Sequence, residues 1–414
     1  MSEENARIPK SLTSFQGSFP MERRRVKLST LNGTSFSAGE NIRLRFPDRA
    51  LVDMSTWDIH FNATTTGTDS ALVPVSYGLI KSILFQVGGL TLGAQNNYQN
   101  QLAHAVSLAS RGIEVDKANM MTRAYNNIPA GTTKDASAPV VCNYFPFTLA
   151  SCGVLDTAIF PAVEADIRLE GNACLDILTT ADGTYSIADV VSYVDILLPA
   201  SEAYVKTMQS RLSSGGMVKK SVPSCVAFKQ TQNGSNSVNC ASNSLDAVLV
   251  GVKKTGWSNQ AAKGAYAYNG FLEFSLSDTN ANQVMHLQLA NGEQYPTYGN
   301  PQNSFEHAEM TRNWAGKQSA YNFNKLFYNQ TGANVDAYAR DNYLSSNFVW
   351  VAQLGGEGSA VDNHGLHSGL NTMGQSNIIR VNSTNLEATD ELLINCLCSS
   401  MLEAKAGGVV AFIQ

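Results

Sequence analysis

The residues best suited to hold a metal are His364 and His367, which share a Gly-bearing loop with Glu357 and Asp362. Two imidazoles three positions apart can reach one ion. No further ligand set completes the pattern, and loops rich in Gly and Asn scatter such residues by chance, so no metal is assigned. Cys396 and Cys398 alternate onto one strand face, and a C-x-C pair without a second pair reads as core thiols. His60, His104 and His286 stand singly in regular stretches and read as structural. Asp189 and Asp195 lie too far apart along a strand to work as an acid-base pair. Gly88-Gly89 sits between two apolar strands, where glycines free to take φ > 0 make a tight hairpin; a phosphate cradle would precede a helix. No nucleophile elbow, Walker loop, His-Glu-x-x-His pair or dinucleotide fingerprint is present. The expectation is a protein without catalytic residues, cofactor or metal. One charged run is left, Arg23-Arg24-Arg25-Val26-Lys27, flanked by Phe15 and Phe19 in a stretch without sustained period. It reads as an extended arm over residues 1–37, able to meet a neighbour, a membrane surface or a genome.

The elements that must position these groups are mostly strands. Asn41-Ile-Arg-Leu-Arg-Phe46 and Thr56-Trp-Asp-Ile-His-Phe-Asn62 alternate polar and apolar. Gly78-Leu-Ile-Lys-Ser-Ile-Leu-Phe-Gln-Val87 is apolar on both faces and runs through Gly88-Gly89 into Leu90-Thr-Leu-Gly-Ala94. Asn96 and Asn97 can then cap a helix with apolar positions Tyr98, Leu102, Ala105, Val106 and Ala109. The polar stretch 112–138 reads as a surface loop. Strands resume near Val140, at Ala165-Asp-Ile-Arg-Leu-Glu170 and at Asp189-Val-Val-Ser-Tyr-Val-Asp-Ile-Leu-Leu198, after which Ser201 can cap a short helix with Tyr204, Met208 and Leu212 on one face. Ser213-Ser-Gly-Gly216 is the best linker and falls near the midpoint.

The second half repeats the plan. Strands are expected near 222–229, 245–253 and 270–276. Gln283-Val-Met-His-Leu-Gln-Leu289 followed by Asn291-Gly292 echoes the strand and hairpin at 78–94, with a poorer helix at 304–314. Asn377-Ile-Ile-Arg-Val-Asn382 echoes residues 165–170 in pattern and place, and the chain closes in two apolar strands, at 391–399 and 408–413. Each half offers about eight strands, and their alternation argues for antiparallel sandwiches of the jelly-roll type over a parallel α/β sheet.

The 414 residues, 43% apolar and 15% charged, suit β-structure with many turns and more than one domain. A net charge of −5 gives the whole surface no reason to grip nucleic acid. No apolar run nears the ~20 residues of a membrane span, and the N-terminus lacks a signal-peptide pattern, so a soluble protein made inside the cell is expected. Seven cysteines without tight spacing read as buried free thiols.

Asn41-Ile-Arg-Leu-Arg-Phe-Pro-Asp-Arg-Ala50, the run Gly78 to Gly89, Asn96-Asn-Tyr98, and Val191-Ser-Tyr-Val-Asp-Ile-Leu-Leu-Pro199 with its helix together resemble the double jelly-roll major capsid proteins of tailless icosahedral viruses, a lineage including adenovirus-like, virophage-like and lipid-containing bacterial viruses. The resemblance implies an all-β chain of two consecutive eight-stranded antiparallel jelly rolls with short helices in the connections: an arm at 1–37, rolls at 38–212 and 213–414. It further implies homotrimers of pseudo-hexagonal outline that assemble into the virion shell. Partners would be other copies, a vertex protein, and an internal membrane or genome met through Arg23, Arg24, Arg25 and Lys27. The competing expectation is a β-sandwich glycan- or receptor-binding spike or lectin, with the Tyr- and Asn-rich loops at 295–303 and 318–343 stacking on sugars.

Overall fold

The computed structural model describes residues 21–66, 70–71, 76–92, 96–109, 133–139, 154–177, 183–199, 202–230, 234–254, 257, 271–272, 274, 284–289, 292–295, 348–354, 369–373, 378–384, 390–405 and 409–413. The His364/His367 loop, the expected helix at 304–314 and the loop at 318–343 lie outside them.

The first roll contains β1 (Met21–Leu28), β2 (Phe36–Ser37), β3 (Asn41–Arg45), β4 (Leu51–Thr66), β5 (Ser70–Ala71), β6 (Ile80–Val87), β7 (Leu90–Leu92), helix α1 (Gln99–Ala109), β8 (Thr133–Pro139), β9 (Val154–Asp156), β10 (Glu164–Leu169), β11 (Asp176–Ile177) and β12 (Thr184–Pro199). Helix α2 (Ala203–Ser213) follows. The second roll contains β13 (Val218–Gln230), β14 (Gly234–Asn239), β15 (Leu245–Lys253), β16 (Val284–Gln288), β17 (Gln294–Tyr295), β18 (Val349–Gln353), β19 (Ile378–Thr384), β20 (Glu391–Lys405) and β21 (Val409–Ile413).

Among the described residues every strand pairing is antiparallel. One roll stacks a sheet β1-β12-β4-β8 on a sheet β3-β10-β6-β7; the other has β13-β20-β15-β18 and β14-β19-β16-β17. Counting the eight principal strands of each roll in chain order, both read 1-8-3-6 in the first sheet and 2-7-4-5 in the second. The fold is used twice. The hairpin β6-β7 matches β16-β17 and β10 matches β19, as the sequence echoes predict. Gly88 and Gly89 adopt φ of 57° and 86°, the left-handed pair that a two-residue type I′ hairpin needs, joining Val87 to Leu90.

The core of the first roll centres on Trp57, whose ring packs edge-on against Phe46 at 5.2 Å and Phe85 at 5.4 Å while its Nε1 donates to Ser192 Oγ at 2.7 Å. The core of the second is largely aliphatic, with Val248, Val250, Leu287 and Ile394 buried together with the large ring of Trp350.

Four local expectations are corrected. Residues 133–138, read as loop, belong to β8, because β4 offers a full row of backbone partners from Asp58 to Thr64 and pairing overrides a polar sequence. Met21–Leu28, within the stretch read as an arm, pairs along its whole length with β12. The described part of the expected strand at 270–276 is irregular: Phe271 and Leu272 lie in a bend and Phe274 in a single bridge. Helix α2 begins at Ala203 with Glu202 as N-cap and no side-chain cap bond, and Ser201 lies outside the described residues. The Gly215-Gly216 linker is that helix's end: Gly215, at φ 77°, lets the Gly216 N–H reach the Arg211 carbonyl at 2.9 Å and its own N–H that of Leu212.

Candidate functional site

In each roll the sheet containing the longest strand has one face in the core and one turned outward, and the two outward faces differ. In the second roll it is buried. Register pairs Leu249, Gly251 and Lys253 of β15 with Asn395, Leu393 and Glu391 of β20, and all but Glu391 are buried. Phe271, Phe274 and Trp257 lie over this face, and helix α1 of the first roll lies on them. Asn96 starts α1 by accepting from the Tyr98 N–H at 3.0 Å. His104 then stacks on Phe274 at 5.7 Å, Tyr98 tilts against Trp257 at 6.4 Å, and Gln101 Nε2 donates to the Phe271 carbonyl at 3.1 Å. That carbonyl also accepts from the fully buried Lys253 Nζ at 2.9 Å, whose ammonium sits 4.3 Å from the Phe274 ring centre and 5.1 Å from that of Trp257. Helix α1 is thus the joint between the rolls. The hairpin adds to that joint: a Cβ at Gly88 would come within 2.9 Å of Val410 Cγ2 in β21.

The same face of the first roll is polar. Asp53 of β4 and Asp195 of β12 are direct cross-strand neighbours with side chains only 8% and 12% exposed, an arrangement that is repulsive unless neutralised. The basic run of β1 supplies the neutralisation. Arg23 contacts Asp53 at 2.9 Å and Asp195 at 3.3 Å. Arg25 contacts Asp195 at 3.0 Å and Asp58 at 2.6 Å, and its guanidinium lies 5.7 Å from the Tyr193 ring centre. His60 stands edge-on to Tyr193 at 5.2 Å and 3.3 Å from Asp58. Arg24 pairs with Glu22 at 2.8 Å, which holds the Glu22 carboxyl below its usual range, and Lys27 is exposed. Of the four basic residues singled out from sequence, the structure thus brings Arg23 and Arg25 onto this chain's own carboxylates and leaves Arg24 and Lys27 at the surface. Nothing local signals the three aspartates, because they arrive from strands about 30 and 170 residues away.

Arg23→Ala and Arg25→Ala are each expected to cost about 1–2 kcal/mol, a modest figure because the guanidiniums are half exposed while the carboxylates they leave are not. Urea denaturation of each variant, and of Arg24→Ala as a near-silent control, measures it.

Cys240 and Cys398 sulfurs lie 3.6 Å apart in the second core, with Cys396 and Cys225 also buried. Hydrogen bonding to Cys396 and burial push the Cys240 thiol up, the bond from Cys240 and burial do the same for Cys398, and burial raises Cys225. Protonated, enclosed thiols are poor nucleophiles and poor ligands. Among the described residues no group of three or more His, Cys, Asp or Glu is placed to hold a metal ion.

No protein-family model matches the chain. No curated protein matches it in sequence either. Solved structures do match in shape. The PBCV-1 virus capsid superposes with a TM-score of 0.60 at 10% identity, over 97% of this chain and 98% of that one. The VP54 protein of PBCV-1, fitted into a reconstruction of the virophage Sputnik, gives 0.59 at 9% identity, over 97% and 98%. The Faustovirus major capsid protein gives 0.58 at 10% identity, over 97% and 94%. With both sheets of both rolls in the same order and almost the entire chain superposed, the protein has the double jelly-roll architecture of these viral major capsid proteins.

Proposed function

We propose that this chain is a major capsid protein, a structural and non-catalytic component of a virion, which trimerises into pseudo-hexameric capsomers and self-assembles into an icosahedral shell. The observation that carries this reading is the unequal treatment of the two outward faces. Helix α1, which follows the β6-β7 hairpin of the first roll, lies on the outward face of the second roll. Among the described residues nothing but α2, at one end, covers the outward face of the first roll. A face covered on one roll and open on the other makes the two ends of a chain unlike; copies that meet with the open face as acceptor form a heterologous contact, which generates a closed ring if the rotation closes. Two similar rolls per chain and three chains give a ring of six.

Residues 1–37 give β1 and β2 to the first roll, and the remainder of that arm, with exposed Arg24 and Lys27 at its root, is the part that meets a neighbouring capsomer, a vertex protein, an internal membrane or the genome. Apart from Tyr295, which ends β17, the loops invoked for glycan binding lie outside the described residues, and no observation favours that reading. Sedimentation of the purified full chain tests the proposal: trimers that form hollow shells or sheets support it, whereas a stable monomer with measurable glycan affinity would sink it.

A further inference from the structure

The two sheets of the second roll meet at one end through a pair of sulfurs. Cys398 belongs to β20, where strand alternation sets it with Ile394 and Cys396 toward the core. Cys240 follows the last residue of β14, Asn239, in the opposite sheet. Both side chains are fully buried, and their sulfurs lie 3.6 Å apart although the residues are 158 positions apart in sequence. Thr372 clasps the chain there: its Oγ1 donates to the Cys240 carbonyl at 2.7 Å and accepts from the Ser242 N–H at 3.0 Å. Cys240 thus sits beyond the ladder but in a fixed place. Cys225 pairs in register with Leu397 and so lies on the other face of the sheet from Cys398.

We propose that Cys240 and Cys398 are a latent disulfide, which closes when the chain meets a peroxide and staples the two sheets of the second roll. Bonded sulfurs are about 2.05 Å apart, so closure needs a movement of about 1.5 Å, which a turn about one Cα–Cβ bond supplies. One sulfur, as thiolate, attacks a peroxide oxygen; the O–O bond breaks, and the departing hydroxide takes up the thiol's proton as water, leaving a sulfenic acid. The second sulfur attacks the sulfenic sulfur, the S–S bond forms as the S–O bond breaks, and the second hydroxide leaves with the second proton as water. Two thiols and one hydrogen peroxide become one disulfide and two waters. Hydrogen bonding between thiols and burial, which keep both groups protonated, make the first attack wait for a local opening of the roll. The second attack needs no opening, because the partner sulfur is already in contact. Once closed, the bond is shielded from reducing thiols by the same burial. In a glutathione-reduced compartment the pair stays open, and outside it the pair closes. Closure takes place within one chain and does not depend on how copies assemble.

Reduced full-length protein, freed of reductant, held with hydrogen peroxide, alkylated in denaturant and digested without reduction, tests it. The expected result is the loss of two of the seven thiols and a peptide pair joined through Cys240 and Cys398, two hydrogens lighter than the free peptides, with no dimer on a denaturing gel. Seven free thiols, a bond to Cys396 or Cys225 instead, or sulfinic acid at either sulfur would overturn the assignment. Calorimetry gives a second reading. Because the bond closes so long a loop, peroxide treatment is expected to raise the unfolding midpoint of the second roll by about 5–15 °C and to leave that of Cys240→Ser where it was. An unchanged midpoint, or an equal shift in the variant, counts equally against it.

Discussion

Gly251→Val is expected to lower the unfolding midpoint of the second roll by about 6–12 °C and to raise amide exchange across helix α1. A Cβ built on Gly251 would lie 2.4 Å from Cδ1 and Cε1 of Phe274, well inside contact distance. The ring has no free retreat, because Lys253 Nζ is 4.3 Å from its centre on this side and His104 of the other roll stacks on it at 5.7 Å. Overpacking of a filled site costs about 3 kcal/mol at the upper end of its usual range, which converts to the stated shift at 2–4 °C per kcal/mol for a unit of about 200 residues. The loss is transmitted to α1 because Phe274 is what the helix rests on. Calorimetry and hydrogen exchange on Gly251→Val, Phe274→Ala and the double variant check it. If the glycine acts through the ring, removing the ring recovers part of the loss in the double variant; simple additivity, or a midpoint shift under 1 °C, would refute the account.

How far such a joint can be read from sequence depends on how local its causes are. The Gly88-Gly89 hairpin is legible because the need for φ > 0 is met within two residues, and the echo of 165–170 in 377–382 is legible because strand alternation survives divergence. The run Leu245-Asp-Ala-Val-Leu-Val-Gly-Val-Lys253 also carries a signal: apolar residues at both parities mean a strand covered on both faces, whereas 56–62 alternates and one face of it stays polar. What covers β15 is not legible, since Tyr98, Gln101 and His104 look like ordinary positions of an amphipathic helix until their partners at 257–274 are seen. Strand β1 hides for a different reason. It lies at a sheet edge with five exposed residues in succession, so it has no period, and its membership is decided by β12 and by aspartates distant in sequence. The helix after β7 and the basic run are both legible; the contacts they make within the chain are not, because each is with residues distant in sequence.

The same contrast of faces yields the second strong effect. His60→Glu together with Lys27→Glu is expected to abolish ring formation while leaving the monomer folded. Both positions lie on the outward face of the first roll, with the His60 side chain 43% exposed and Lys27 exposed, so the cost to the monomer is within about 1 kcal/mol. That face already holds Asp53, Asp58 and Asp195, balanced by Arg23, Arg25 and Lys27. Replacing an imidazole and an ammonium by carboxylates turns a balanced surface into a negative one, and an unmatched like charge in a contact costs several kcal/mol. At about 3 kcal/mol per contact each weakens more than 100-fold, and a three-chain ring suffers the change at every contact it must close. Arg24→Glu on the opposite parity of β1 serves as the matched control, with the charge altered on the same strand but away from the face. Analytical ultracentrifugation should then show rings for the wild type and for Arg24→Glu, and a folded monomer for the double variant, with unchanged circular dichroism. Rings that persist in the double variant would mean that copies meet through some other surface, and the outward face of the first roll would lose its role as acceptor.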